Sequence, residues 1–431
     1  MRNEDDIMAV LESVLQDCSA DEAQVEYRSS DGLATRFADN AITQNVAGRD
    51  EEISVEVAFG SRHGSATTNK VNEEALQAAV DRAEEAAHAS PEDPEHVPLP
   101  PPQTYPTVPP RYEEGVRQME PAKLADGVLE GVKTAQEANC TASGLFETNC
   151  RTRAIANSRG LYAFDRHSMV DFSITVQGET GSGFYWCNGE APRAVSPADA
   201  AEQALETARA TEDPEPIGPG DYTVIFEPQA TFDLLKFMLF EMSARDADEG
   251  TTAFQERVGE QVFDKRVTLQ TRIDDPDLPA PPFGKDGLAA RNTTWAQEGV
   301  LERLRHSRYW AREKGTVADP LLFPIFMAGG NHSIQEMISG CDRGLLVKRL
   351  WYIRLVDRKE LLLTGLTRDG LFLVEDGEVR RPLQNLRFNQ SPIEFLQNVT
   401  ALGPARRIGP YAKVPAVVSS DFTFTSTTES V

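Results

Sequence analysis

The sequence predicts an α+β protein. Two similar N-terminal α+β units precede a larger antiparallel β-rich C-terminal domain, barrel- or sandwich-like, that holds one long helix. Three observations carry this. A strand–glycine–asparagine–helix pattern occurs twice in one register, as Ile53–Val57, Gly64 and Asn69, then Phe172–Val176, Gly183 and Asn188. Nine prolines in residues 91–110 separate the two occurrences and forbid helix or sheet interior there. Beyond Thr211–Gly220, rich in proline and glycine, short β-branched, Leu- and Phe-rich runs alternate with Asp-Gly and Glu-Gly turn signals.

The chain has 431 residues, and at ~150 residues per domain it holds two or three domains. The expected segments are 1–90, a linker over 91–110, 111–213 and 220–431. In the first, Ile7, Val10, Leu11, Val14 and Leu15 recur at helical spacing over Asp5–Asp17. Four alternating stretches then read as strands: Ala23–Arg28, Ala34–Ala38, Ile53–Phe59 and His63–Thr68. Asn72 or Asn69 caps a helix over Glu73–Ala87. The second segment repeats this plan and ends in a helix over Pro197–Ala208, a duplicated unit serving as framework. In the third, a helix over about 230–248 carries Phe232, Leu235, Leu239 and Met242 on one stripe. Leu361–Thr367, Leu371–Glu375 and Glu378–Arg381 read as a meander, and Val414–Val418 and Phe422–Ser426 as closing strands.

A formal net charge of −25, with 43 Lys+Arg against 68 Asp+Glu, argues against nucleic acid or an anionic membrane as partner. Only 10 of the 43 cations are Lys. That surface suits either a protein kept soluble in high salt or an ordinary acidic cytosolic one. The acidic start, MRNEDDIMAV, has no secretory character, the apolar run Leu321–Ala328 is short and broken by Pro324, and the five cysteines are scattered. A cytoplasmic protein with reduced thiols is expected.

Motifs of known chemistry are missing: GxxxxGK[ST], GxSxG, GxGxxG after a strand, and HExxH. The six histidines include no i, i+4 pair. His332 reads as a loop histidine. Asp274-Asp275-Pro276-Asp277 has hard-cation chemistry without calcium-loop spacing and reads as a solvated turn. Glu241, Asp246, Asp248 and Glu249 read as the wet end of the long helix. Arg257, Glu260, Arg368 and Asp369 are the candidates for positioning a polar substrate or partner, against a reading as surface ion pairs.

Several blocks, taken in order, resemble the TldD/TldE (PmbA) family of zinc metallopeptidase subunits, also described as modulators of DNA gyrase. They are Val55-Glu-Val-Ala-Phe-Gly60, Gly250-Thr-Thr-Ala-Phe254 with Arg257-Val-Gly-Glu260, Gly344-Leu-Leu-Val347, Thr364–Phe372, Glu375-Asp-Gly-Glu378 and Val414-Pro-Ala-Val417 with Phe422–Ser426. The resemblance implies a cytosolic assembly that degrades unfolded peptides and matures modified ones. One subunit type, TldD, carries zinc on an HExxxH helix completed by a later cysteine; the other, TldE/PmbA, lacks that motif and pairs with it. Counted from the shared blocks, the two histidine positions fall here on Leu235 and Phe240, the glutamate on Lys236 and the cysteine near Arg407. Leu and Phe have no lone pair for zinc, and a protonated Lys236 is no base. The resemblance therefore implies a TldE/PmbA-like chain with an inactivated helix, its metal space filled by Leu235 and Phe240.

On that reading the chain has no catalytic residue and binds no metal or other cofactor. Zinc sits in a TldD-like partner, and this chain supplies scaffold and substrate binding for a peptide or unfolded protein, without metal-dependent activity alone. Sheet edges of the third segment are the natural docking sites. Two other readings remain: a non-catalytic homodimeric peptide-binding protein, and an independent hydrolase using His306 or His332 with Asp274 or Asp275, with Cys341 a further candidate ligand.

Overall fold

Asn3 accepts a hydrogen bond from Asp6 N and so starts helix α1 (Glu4–Asp17), whose Ile7, Leu11 and Val14 are fully buried. The computed structural model describes residues 2–428. After α1 the chain forms strands β1 (Glu22–Ala38), β2 (Ala41–Phe59) and β3 (Arg62–Thr68), then helix α2 (Glu73–Ala89) with Asn72 at its N-cap. The two strands expected within 23–38 are one. β1 runs on through Gly32 because it is paired on both sides, to β2 and to a strand of the second unit.

The second unit has a short helix α3 (Glu114–Arg117), then the same order again: α4 (Pro121–Glu137), β4 (Thr141–Asn157), β5 (Tyr162–Gln177), β6 (Ser182–Gly189) and α5 (Pro197–Ala210). Its hairpin register matches the first: Ile53 faces Thr68 and Val57 faces Gly64, while Phe172 faces Cys187 and Val176 faces Gly183. β1 and β4 pair antiparallel, fusing both units into one six-stranded sheet of order β3-β2-β1-β4-β5-β6. Each unit keeps its own core between helices and sheet, one around Leu11, Val25, Val55 and Val80, the other around Val128, Phe146, Phe172 and Ala204. Residues 91–110 form neither helix nor strand. They are fastened: Asn157 Nδ2 donates to Pro100 O, Leu99 N donates to Glu22, and Arg308 donates to Pro98 O.

Residues 220–427 build a second sheet of 13 strands. In chain order the elements are β7 (Gly220–Phe226), α6 (Pro228–Glu241), α7 (Ala244–Asp248), β8 (Leu269–Thr271), β9 (Thr293–Gln297), β10 (Val300–Leu301), α8 (Arg308–Glu313), β11 (Ile325–Met327), α9 (Ile334–Ser339), β12 (Arg343–Val347), β13 (Leu350–Asp357), β14 (Leu362–Thr367), β15 (Leu371–Glu375), β16 (Glu378–Pro382), β17 (Leu386–Gln390), α10 (Pro392–Gln397), β18 (Val399–Ile408) and β19 (Ala412–Thr427). The main path is β10-β9-β8-β11-β19-β7-β12-β15-β16; β13, β14 and β17 form a branch from β19, and β18 also pairs with β19.

The sheet branches at β19 and is open. Three expectations are corrected. The single helix over 230–248 is two, because Met242 leaves helical geometry and Ser243 caps α7 by accepting from Asp246 N. The meander breaks at Asp369-Gly370, both at positive φ: β14 pairs with β13 and β17, whereas β15 pairs with β12 and β16. The closing strands are one strand, β19, kinked at Asp421, where φ is +56°. The Asp376-Gly377 turn joins β15 to β16 as expected, with both residues at positive φ.

The largest core surrounds α6 with Phe226, Trp295, Phe388, Phe395 and Phe422. No helix among the described residues is long and apolar enough to cross a membrane.

Candidate functional site

α6 begins with Pro228 in its first turn, where a missing N–H costs nothing, and packs on β19, β13 and β18. The stripe Phe232, Leu235, Leu239 and Met242 is buried as the spacing predicts. The three positions that the resemblance links to metal chemistry do not share one environment. Leu235 is in the core. Lys236 lies 3.5 Å from Asp233 Oδ1 and over the rings of Phe232 and Phe237. Phe240 is 62 % exposed, so it fills no internal space, contrary to expectation. Its ring meets Phe323, which meets Tyr411 edge-on, at centroid distances of 5.6 and 6.3 Å.

Asp233 is the charged side chain buried on this helix. It accepts from Leu350 N at 3.2 Å and from Gln229 Nε2 at 3.0 Å. Burial pushes its pKa up, and Lys236 opposes the shift. Arg407, at the cysteine position, turns toward the second unit: its guanidinium forks onto Glu190 at 2.8 and 2.9 Å and donates to Asn188 Oδ1 and Asp277 O. A hydrocarbon, an ammonium, a phenyl ring and a paired guanidinium do not fit a zinc ion. Among the described residues no three His, Cys, Asp or Glu side chains are gathered to hold one.

The four candidate residues lie in two places with no bond between them. Arg257 and Glu260 are 3.6 Å apart in the loop after α7, with Glu260 60 % exposed, in the manner of a surface ion pair. Arg368 and Asp369 sit where the chain crosses from β14 to β15. There Asp369 is buried, bonded to Arg349 Nη1 at 2.7 Å and to Ser182 Oγ of the second unit at 2.9 Å. Arg368 is 3.8 Å from the same carboxylate.

Sequence reasoning missed Ser182, Phe184 and Arg349. The Arg349 guanidinium stacks between Phe184 and Trp351, 3.6 and 4.7 Å from the ring centroids, and Arg368 lies over the same Trp351 at 5.3 Å. Burial lowers the Arg349 pKa, and Asp369 and Asp233 counter the shift. The one available signal was the run Lys348–Lys359, basic and aromatic within an acidic chain. Beside Asp369 opens a cavity of about 590 Å³ between the second unit and the third, lined by Glu179, Thr180, Asp213 and Gln384 among others. This arrangement joins the two units and presents guanidinium groups at a sheet edge.

The remaining polar clusters resolve as contacts. Asp275 is buried, not solvated, because Lys413 Nζ reaches both it and Asp277 at 3.0 and 2.8 Å, taking the place of a cation. His306 is 3.7 Å from the buried Asp319, which also binds Arg291 and Arg303, and makes no contact with Asp274 or Asp275. His332 is exposed, and Cys341 is buried against Ile225 and Phe372. The acidic end of the long helix is tied down: Arg358 bridges Glu241 and Asp246, and Lys314 holds Asp248.

Comparison with known proteins covers nearly the whole chain. Residues 23–87 match the model of PmbA/TldA metallopeptidase domain 1, residues 115–212 the central domain and residues 219–426 the C-terminal domain. Two archaeal proteins, each described as a metalloprotease, are related in part. One from Archaeoglobus fulgidus is 26 % identical over 168 residues, 35 % of this chain and 38 % of that protein. One from Methanothermobacter thermautotrophicus is 21 % identical over 224 residues, 48 % of this chain and 47 % of that protein. The chain thus spans less than half the length of these curated relatives. The fold matches the crystal structure of TldE from Thermococcus kodakarensis at a TM-score of 0.88 and 19 % identity, covering 97 % of this chain and 99 % of that one. It also matches a Thermotoga maritima protein described as a modulator of a DNA gyrase at 0.87 and 14 %, covering 98 % and 100 %.

Proposed function

Because this chain belongs to the PmbA/TldA metallopeptidase family, we propose that it is the metal-free subunit of a peptide-degrading complex, paired with a TldD-like chain that carries the zinc. The observation that supports this reading is the residue content of α6. Leu235, Lys236 and Phe240 stand at the positions that would hold and serve a metal, and none of them can do so. What the chain keeps is shape. Its two sheets are joined through Asp369–Ser182 and Arg407–Glu190, and the edges of the larger one can take an extended segment by main-chain hydrogen bonds.

The roles of this chain's residues follow from that. Arg368 and Arg257 orient a polar or charged substrate, while Asp369 holds the Arg349 stack in place. Cytosolic peptides or unfolded segments are the substrates. The test is reconstitution with a TldD-like chain. Hydrolysis of an unstructured peptide is expected only from the mixture, and alanine at Arg368 and Arg257 should lower it. Hydrolysis by this chain alone would refute the assignment; unchanged turnover in the double variant would leave it a scaffold role only.

A further inference from the structure

β13 is an edge: it pairs with β14, and among the described residues no strand pairs with its other side. Its exposed side chains are unlike those of a protected edge. Trp351, Tyr352, Leu355 and Val356 are 43, 59, 41 and 56 % exposed, and Val356 is the extra residue of a second register shift, between Leu355 and Asp357. An apolar edge of this kind is a template for another strand unless something covers it. The backbone departs from regular geometry here too. Tyr352 has φ +51° within the shift between Trp351 and Arg354, where a bulky side chain is seldom found.

The charge of this edge is opposite to that of the molecule. Residues 348–359 hold five cations and one carboxylate in a chain of net charge −25. Lys348, Arg349 and Arg358 are already paired, with Glu227, Asp369 and Glu241. Arg354 has no carboxylate partner among the described residues, and its guanidinium rests on the Tyr352 ring at 4.4 Å. Arg368 shares with Arg349 a carboxylate that is already bonded, and it rests on Trp351. The rings hold both guanidinium groups against β13, Arg354 from the strand itself and Arg368 from the neighbouring β14 side, where its N–H donates to Arg349 O.

We propose that the free edge of β13 is a docking strand for an extended peptide bearing carboxylate side chains, which adds antiparallel or parallel to β13 while Arg354 and Arg368 take its carboxylates. This rests on the reading of the chain as a substrate-holding subunit and specifies where and what it holds. A second copy pairing through its own β13 is disfavoured, since each Arg354 would meet another cationic edge.

The test is fluorescence anisotropy with three labelled peptides on the intact chain without any partner. One alternates glutamate with valine, one has lysine for glutamate, and one is the glutamate peptide with alternate amides N-methylated. An acidic protein should prefer the lysine peptide through its overall field, so the proposal predicts the reverse. The glutamate peptide binds at least about tenfold tighter than either of the others, and R354A and R368A each weaken it several-fold with unchanged thermal unfolding. Equal binding of the first two peptides, or indifference to N-methylation, overturns it. So does a dimer in sedimentation that V356D dissociates, which would make β13 a subunit contact. Binding to the lone chain is read independently of peptide turnover by a two-chain complex, so failure here leaves that reading standing.

Discussion

Gly64 and Gly183 occupy equivalent positions in the two N-terminal units, each opposite a valine of its hairpin and each beneath the backbone of a helix. A Cβ on Gly64 would run into Ala83 O and Ala87 N; one on Gly183 would run into Ala204 O and Ala208 N. The helices therefore sit directly on the strand backbone. G64A and G183A should each destabilise the protein by about 2–3 kcal/mol, since helix backbone must move. G48A, with nothing within 4 Å of the added methyl, should stay within about 0.5 kcal/mol. Denaturant unfolding of the three variants checks this.

Asp369 is a structural anion before it can be a binding one. D369N keeps a side chain that accepts the Ser182 bond and tolerates the positive φ, but it leaves the mostly buried Arg349 without its counter-charge. The expected loss is roughly 2–4 kcal/mol, nearly independent of salt between low and physiological ionic strength. A loss that vanishes in salt would place the pair at the surface.

Asp171 gives the stability a pH dependence of known sign. Burial raises its pKa from 3.8 to about 6, against the hydrogen bond donated by Trp186 Nε1. The folded state thus holds the proton more tightly. The resulting stabilisation is complete below about pH 4 and is lost as pH rises through 6. D171N removes this term while its carbonyl can still accept from Trp186. The stability of D171N relative to the wild type should rise between pH 4 and 7 by on the order of 2 kcal/mol. A constant difference across that range would contradict the assignment.

Arg407 and Glu190 fasten the second unit to the β18–β19 turn, where Trp186 also lies against Gly409. A double-mutant cycle with R407A and E190A should give a coupling of about 1–2 kcal/mol, because the pair is forked and largely shielded. Coupling near zero would mark it as an ordinary surface pair.

The repeat, the fused helices and strands of each unit and the turns at Asp376-Gly377 were legible because periodicity and turn chemistry are local. The branching at β19 was not, since which strands pair is decided by contacts far apart in sequence: β7 lies between β12 and β19, over a hundred residues later in the chain. The break after α6 was hidden by Met242, which continues the apolar stripe while its backbone leaves the helix. Among the candidate residues, Arg368 and Asp369 were visible as a charged turn. Their partners Ser182, Phe184 and Arg349 were not, because the sheet edge of one unit meets the crossover of another only in three dimensions. Phe240 shows the reverse limit: its place in the count was readable, its exposure was not.

On the proposed reading, the metal of the family lies outside this chain. The most direct measurement is the zinc content, per chain, of the protein purified alone without chelators. The expected value is near zero, and added zinc should not raise it after desalting. About one zinc per chain would contradict that reading and would mean that this chain builds a site of its own.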